Sequence, residues 1–487
     1  MWEPKPRDYD QVFQEQNPWQ TTGEVPSAWS LPVERPLARY LWSNLLDQKI
    51  RRFELILGPR RVGKTTSMYQ TVSHLIKEGV APRKIWWLRL DHPLLMNIDL
   101  GSLVKSLLSS AHATPSEPAF VFLDELTYAK DWDLWLKTFY DDSWPLTLTG
   151  SSSSTAALRN SRMESGVGRW EEQYLAPYLF GEFLELFDVQ IDLEAADTLS
   201  QTVSLAARNL PPVPHLADLR RRFLLTGGFP ELLIAAKNSD EDDASLLLDS
   251  QRTLRSDAVE RAIYKDLPQA FGIDNPMLME RLLYTLAGQI GGIFSARKTS
   301  QSLQGLSEAT IERYLTYLER AFLVFTIPNY SGNENARQRR GKKIYFVDGA
   351  VRNAALQRGL APLNDLVEMG SLIENLAASH LHALGQLAQI RVYYWRHQND
   401  EVDLIFDHPE FPMAFEIGSS SRHSTSGLRR LVDLHPRFRG RAYLVAPETS
   451  SVPAESSADG IGSIGLDAFL LAVSQQAAAE LRRRLGA

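Results

Sequence analysis

The chain has 487 residues, 44% of them hydrophobic and 23% charged, with a formal net charge of −7 and no cysteine. That length suits three or four domains with enough apolar material for several cores, and the lack of cysteine excludes disulfides and thiolate metal sites. The acidic balance excludes a protein that is basic all over but not a local basic patch. No stretch approaches the roughly 18 apolar residues of a membrane-crossing helix. The first residues, MWEPKPRDYDQVFQEQNPWQ, lack a basic-then-apolar signal pattern. A cytoplasmic protein with no membrane partner is expected.

Residues 1–35 read as a polar arm bearing Pro and Trp. Phe53 to Leu57 is then a short strand-type run, apolar apart from Glu54. The following GPRRVGKT matches G-x-x-x-x-G-K-[ST], and Met68, Val72, Leu75 and Ile76 recur at helical spacing up to Gly79. Strand, glycine loop and helix are the context in which this motif binds phosphate. The backbone N–H groups of such a loop wrap phosphate oxygens, its glycines permit the tight path, and the helix N-terminus points at the same anion. Gly58, Pro59, Arg60, Arg61, Val62, Gly63, Lys64, Thr65 and Thr66 are the expected ATP-binding residues. Lys64 would reach the β and γ oxygens, and the Thr65 hydroxyl would ligate Mg2+.

A strand candidate, KIWWLRLD at 84–91, and a helical stretch near 103–108 come next. Ala119 to Leu123 is a fully apolar run ending in Asp124-Glu125. An acid closing a buried strand suits the metal, here Asp124, and the adjacent Glu125 can orient and deprotonate an attacking water. A helix around 132–140 leads to PLTLTGSSSS at 145–154. Its hydroxyls, Ser151 and Thr149, either sense the γ-phosphate or belong to a Ser-rich loop.

With an additional strand between the two motifs, a Glu after the Asp and a T-G-S strand end, the segment resembles the AAA+ ATPases. The continuation SGVGRWEEQYLAPYLFGEFLEL resembles one prokaryotic branch of them. That branch carries a winged-helix segment and a C-terminal PD-(D/E)xK nuclease-like domain of poorly known function. There a G-R pair precedes a P-L-S-F-x-E-F helix; here Gly168-Arg169 precedes PYLFGEF, in which Tyr178 and Leu179 depart from the pattern. The resemblance implies that Arg169 is an arginine finger or sensor meeting γ-phosphate charge.

The GGFP turn at 227–230 marks the helical lid of that branch. From 256 to 330, Asn275-Pro276 opens a helix lined by Leu278, Leu282, Leu283 and Leu286. A short helix spans 296–303, and Ser307 caps another whose buried stripe is Ile311, Tyr314, Leu315, Leu318 and Phe322. A strand-like run, 323–327, completes a winged-helix pattern whose reading helix would expose Glu308, Thr310, Glu312, Arg313 and Tyr317. The run ARQRRGKK supplies Arg337, Arg339, Arg340, Lys342 and Lys343 without an acid. With Arg313 these are the candidate DNA contacts, although two glutamates on the reading helix repel phosphate.

The last third resembles the nuclease-like domain throughout. The resemblance implies a metal-holding set of Glu374 on a helix, then Asp403 and Glu416 on strands, with Glu401 close by. A cleaving member carries a lysine two residues after the last acid; this chain has Gly418. Residues 416 and 418 share a strand face, so nothing else on that strand replaces it; Arg396 and His397 lie on the neighbouring one.

The expected architecture is therefore α/β. It comprises an AAA+ ATPase core with a parallel sheet (36–185), a helical lid (186–250), a winged helix (251–335) and a C-terminal restriction-endonuclease-like domain (336–487). The implied function is an ATP-hydrolysing homo-oligomer, a hexameric ring among its forms. It would act on DNA, branched DNA included, with a nuclease-like domain that binds or assembles rather than cuts. Two other readings stay open: an ATP-gated metal-dependent nuclease, and a regulatory switch whose winged helix binds protein.

Overall fold

A computed structural model describes the chain apart from residues 1–5, 32, 48, 97, 155–167, 211–214, 240–241, 304–305, 332–340, 420–422, 448–449 and 485–487. It folds as two compact units: Met1–Leu175 with Leu481–Ala487, and Ala176–Glu480.

The first unit is built on a five-stranded parallel sheet of β1 (Phe53–Leu57), β2 (Ile85–Arg89), β3 (Ala119–Asp124), β4 (Leu146–Ser152) and β5 (Trp170–Tyr174), in the order β2-β3-β4-β1-β5. Every residue of β1 and β3 is buried, as strands covered on both faces require. Leu103, Val104 and Leu107 of the helix Leu100–Ser110 pack with Leu136 and Phe139 of Trp132–Asp141 against Leu55, Val121 and Leu148. A fully buried Leu or Phe contributes roughly 1.5–3 kcal/mol, so such a cluster fixes the sheet.

The expected arm is part of this unit. Asn17 pairs with edge strand β2 as a further strand would: its Nδ2 donates to Trp87 O (3.0 Å), and its Oδ1 accepts from Trp87 N (2.6 Å). Gln16 Oε1 accepts from Arg89 N (3.0 Å), while the Trp19 indole and the Gln20 amide both donate to Ile85 O (3.1 Å each). An open sheet edge presents unpaired backbone groups; side-chain amides from 16–20 satisfy them here. Trp19, fully buried, anchors the cover.

The second unit begins with helices and carries two sheets. The helix Phe180–Leu186 from PYLFGEF is held there. Phe180 N donates to His380 Nε2 (2.9 Å), Gly181 N donates to Ser474 Oγ (3.1 Å), and Phe180 and Phe183 pack on Phe223. The GGFP turn is fastened by Asp348, which accepts from Gly228 N (2.8 Å). Segment boundaries thus differ from the expected ones: the division falls at 175/176, and these residues pack with the chain beyond 340.

Helix Pro276–Ala287, strand β6 (Ile293–Phe294), helices Ala296–Ser302 and Glu308–Arg320, and strands β7 (Val324–Pro328) and β8 (Lys342–Phe346) follow in order. The three strands form an antiparallel sheet, β6-β8-β7. The expected boundary at 335/336 cuts through it. Helix Leu366–Ala388 then precedes β9 (Val392–His397), β10 (Asp400–Phe406), β11 (Met413–Ile417), helix Ser426–Leu434, β12 (Ala442–Ala446) and β13 (Ile461–Gly465). Their order is β13-β12-β11-β10-β9, with β9–β10–β11 antiparallel and β11–β12–β13 parallel.

Candidate functional site

In the first unit β4 lies between β1 and β3, and all three strands end on one side. This gathers the glycine loop after β1, Asp124 at the end of β3 and Ser151 near the end of β4. Gly63 sits at φ 89°, a left-handed conformation that glycine takes without a steric cost, and opens the helix Lys64–Lys77. Lys64 is buried, and its ammonium donates to the carbonyls of Gly58 (2.9 Å) and Pro59 (2.7 Å). Thr65 Oγ1 donates to Asp124 Oδ2 (2.7 Å), and Ser151 Oγ donates to Asp124 Oδ1 while accepting from Glu125 N (3.1 Å).

Burial, and then the charge of Glu125, push the Asp124 carboxyl up to about 6 against the two hydroxyl donors. An acid held this way gains from a cation, and a hydroxyl beside it is the donor pair that Mg2+ takes in phosphate loops. These residues fit the metal. Glu125 adopts a left-handed backbone (φ 54°). Its Oε2 accepts from Ser153 Oγ (3.2 Å), and its Oε1 lies 3.9 Å from Arg60 Nη1. A non-glycine residue held there is a strained position of the kind found at working sites.

Sequence reasoning missed two supports of this site. Ser153 has just been placed, and Arg35 braces the loop from behind by donating from Nη1 to Val62 O (2.7 Å). The SSSS run signalled the first; nothing signalled the second. The buried hydroxyl of Thr149 meets no hydrogen-bond partner among the described residues.

Arg169, expected as an arginine finger or sensor, lies away from its own chain's glycine loop. Its carbonyl accepts from Phe53 N (3.0 Å), where β1 and β5 begin. The glycine loop follows the opposite end of β1, roughly 15 Å away along a five-residue strand. The guanidinium is bidentate on Asp141, with Nε–Oδ1 2.8 Å and Nη2–Oδ2 3.0 Å.

In the second unit Glu374, Glu401 and Asp403 do converge, on a cation that was expected elsewhere. The Lys343 ammonium lies 2.7 Å from Glu401 Oε1, 2.8 Å from Asp403 Oδ1 and 3.5 Å from Glu374 Oε1. Lys343 is 2% exposed, so its expected contact with DNA phosphate does not stand. The reason is strand alternation on β8: Lys342 faces out and pairs with Glu312 (2.8 Å), while Lys343 and Tyr345 face in. Tyr345 OH donates to Glu374 Oε1 (2.7 Å), and the neighbouring Asn375 clasps both backbone groups of Phe346. Glu416 pairs with His423 Nε2 (3.0 Å); burial pushes its carboxyl up to about 7, and that carboxylate raises the imidazole.

Of the remaining DNA candidates, Arg313 is exposed, and Arg337, Arg339 and Arg340 lie outside the described residues. Tyr317, expected on the exposed face, instead stacks on Phe271 at 3.7 Å.

A parallel sheet in this order, with a glycine loop after β1 and an acid closing β3, defines a P-loop domain of the AAA+ ATPase fold. The family model of an AAA domain matches residues 51–184, and models of two domains of unknown function, DUF8612 and DUF4143, match 217–361 and 369–462. An uncharacterized protein of Haemophilus influenzae is 22% identical over 391 residues, 79% of this chain and 88% of that one. One of Methanocaldococcus jannaschii is 26% identical over 359 residues, 70% and 71% of the two chains. One of Mycobacterium bovis is 32% identical over 271 residues, 53% and 57%. Among solved structures, the Aeropyrum pernix ORC1 protein in complex with DNA gives a TM-score of 0.32 at 13% identity, over 71% of this chain and 97% of that one. Cdc6p from Pyrobaculum aerophilum gives 0.28 at 14%, over 69% and 97%. Similarity at that level identifies neither a substrate nor a partner. No described helix is long and apolar enough to cross a membrane.

Proposed function

We propose that this protein binds and hydrolyses ATP and uses the cycle to act on DNA, working as a homo-oligomer. The observation that carries the first half is the convergence of Lys64, Thr65, Asp124 and Ser151 at the ends of β1, β3 and β4. The loop amides and the Lys64 ammonium bind the β and γ phosphates once the ammonium leaves the Gly58 and Pro59 carbonyls. Thr65 and Asp124 would hold Mg2+, which would supply charge neutralisation at the phosphate oxygens. Glu125 orients the attacking water and takes its proton, and Ser151 keeps Asp124 and the Glu125 backbone in register. Arg169, facing away from its own loop, serves a neighbouring copy after releasing Asp141.

A winged-helix reading of residues 276–346 supports DNA as the partner, since helix, strand, two helices and a hairpin occur in that order. Arg313 on the helix Glu308–Arg320 is the described residue placed to meet phosphate. The test is the ATP turnover rate with and without single-stranded, duplex and branched DNA. DNA-stimulated turnover that disappears in Lys64→Ala supports the proposal. Turnover indifferent to all three, with no DNA binding at low salt, would move the winged helix to a protein partner, as the exposed Glu308 and Glu312 favour.

A further inference from the structure

A PD-(D/E)xK site needs a divalent ion among its carboxylates, and the cluster around Lys343 is closed to one. Mg2+ takes oxygen ligands at about 2.0–2.1 Å in near-octahedral array. Here a nitrogen already lies within hydrogen-bond distance of both Glu401 and Asp403. An ion close enough to bind those oxygens would overlap it.

Two of these acids also accept other hydrogen bonds. Asp403 Oδ2 accepts from Ile417 N (3.0 Å), and Glu374 Oε1 accepts from Tyr345 OH. The backbone at Gly291 (φ 71°) closes over Glu374 so tightly that a Cβ there would sit 2.6–2.8 Å from its carboxylate. Among the described residues no group of three or more acid, histidine or cysteine side chains is arranged to hold a metal.

The ammonium satisfies the cluster on chemical grounds. It offers three N–H donors and no acceptor, and three carboxylates surround it. A buried cation is stable only when paired and hydrogen-bonded, and charge-assisted bonds are the strong ones. Glu374 and Asn375 are adjacent on one helix and both grip β8, the first through Tyr345 and Lys343, the second through Phe346.

We propose that the Lys343 ammonium is the resident cation of this cluster: it stands where a nuclease of this shape holds a divalent ion, and it fastens β8 to the helix Leu366–Ala388 and to β10. The domain is then metal-independent, and the lysine missing at position 418 is not replaced by a catalytic one. A lysine locked between acids is a structural cation, with no free charge to offer a scissile phosphate.

Two measurements on the nucleotide-free full chain test this: Mn2+ binding followed by electron paramagnetic resonance, and thermal unfolding with and without Mn2+ or chelator. In the wild type, Mn2+ binding should be unchanged by Asp403→Asn or Glu401→Gln, and chelator should leave Tm where it was. Lys343→Met should lower Tm by several degrees. Millimolar Mn2+ should restore part of that loss, and adding Asp403→Asn should abolish the restoration. Wild-type Mn2+ binding that falls in both acid variants would overturn the proposal whether or not Lys343→Met folds. So would a folded Lys343→Met chain whose Tm ignores Mn2+.

Discussion

Lys64 in the first unit and Lys343 in the second are both buried beside carboxylates, yet their hydrogen bonds differ in kind. Lys64 is held by two backbone carbonyls, and the nearby acid, Asp124, is held by two hydroxyls. Lys343 is held by the acids themselves. An ammonium that donates to carbonyls and a carboxylate that accepts from hydroxyls keep charge to give to something between them, as a nucleotide with its metal requires. Direct pairing consumes both charges and closes the site. The lesson is electrostatic: the same residue types make a ligand site or a structural clamp according to whether opposite charges are kept apart or joined.

That contrast can be broken by experiment. The largest effect is expected from Lys64→Ala, which should cut ATP turnover by about 100-fold or more while leaving the fold intact; circular dichroism and a phosphate-release assay check both halves. Glu125→Gln should lower turnover to a similar extent and retain nucleotide binding, which filter binding or calorimetry would read. Lys343→Met should do the reverse, costing about 3–5 kcal/mol of stability, the scale for breaking a buried ion pair from one side; denaturant unfolding measures it. If turnover and stability responded alike in Lys64→Ala and Lys343→Met, the distinction would fail.

A third buried charge sharpens it. Glu54, on β1, accepts from Asn44 Nδ2 (2.7 Å) and Gln173 Nε2 (3.0 Å) and is fully buried, which pushes its carboxyl up to about 8 from an ordinary 4.5. The folded chain therefore keeps a proton that the unfolded chain releases at lower pH. Stability should fall as pH rises between those two values. Glu54→Gln should flatten that fall, so that the variant matches wild type near pH 5 and exceeds it near pH 8 by roughly 3–4 kcal/mol, each pKa unit being about 1.4 kcal/mol. Thermal unfolding at the two pH values decides. The smallest effect belongs to Lys342→Ala: its pair with Glu312 is partly exposed, and such pairs contribute about 0–1 kcal/mol. Adjacent lysines on one strand should thus differ several-fold in what their removal costs.

The candidate nucleotide site was legible in the chain: GPRRVGKT and FVFLDE place their chemistry by local geometry, a loop between strand and helix and an acid at a strand end, and the fold brings Thr65 against Asp124 beside Lys64. In the last third the sequence pointed to Glu374, Asp403 and Glu416, of which the first two meet at Lys343 while Glu416 pairs with His423. Only the tertiary structure decided what those acids meet. Lys343 lies 31 residues before Glu374 and 60 before Asp403 in the chain, and a basic run read locally looks like a solvated, phosphate-seeking face. Whether a strand residue points out or in depends on which sheet pairs with it and what packs behind. β8 pairs with β6 and β7, turns Lys342 to the surface and buries Lys343. The same non-local cause set Arg169 at the far end of its sheet and drew residues 16–20 onto the edge of β2, since a paired strand edge and a neutralised buried charge are properties of the assembled fold.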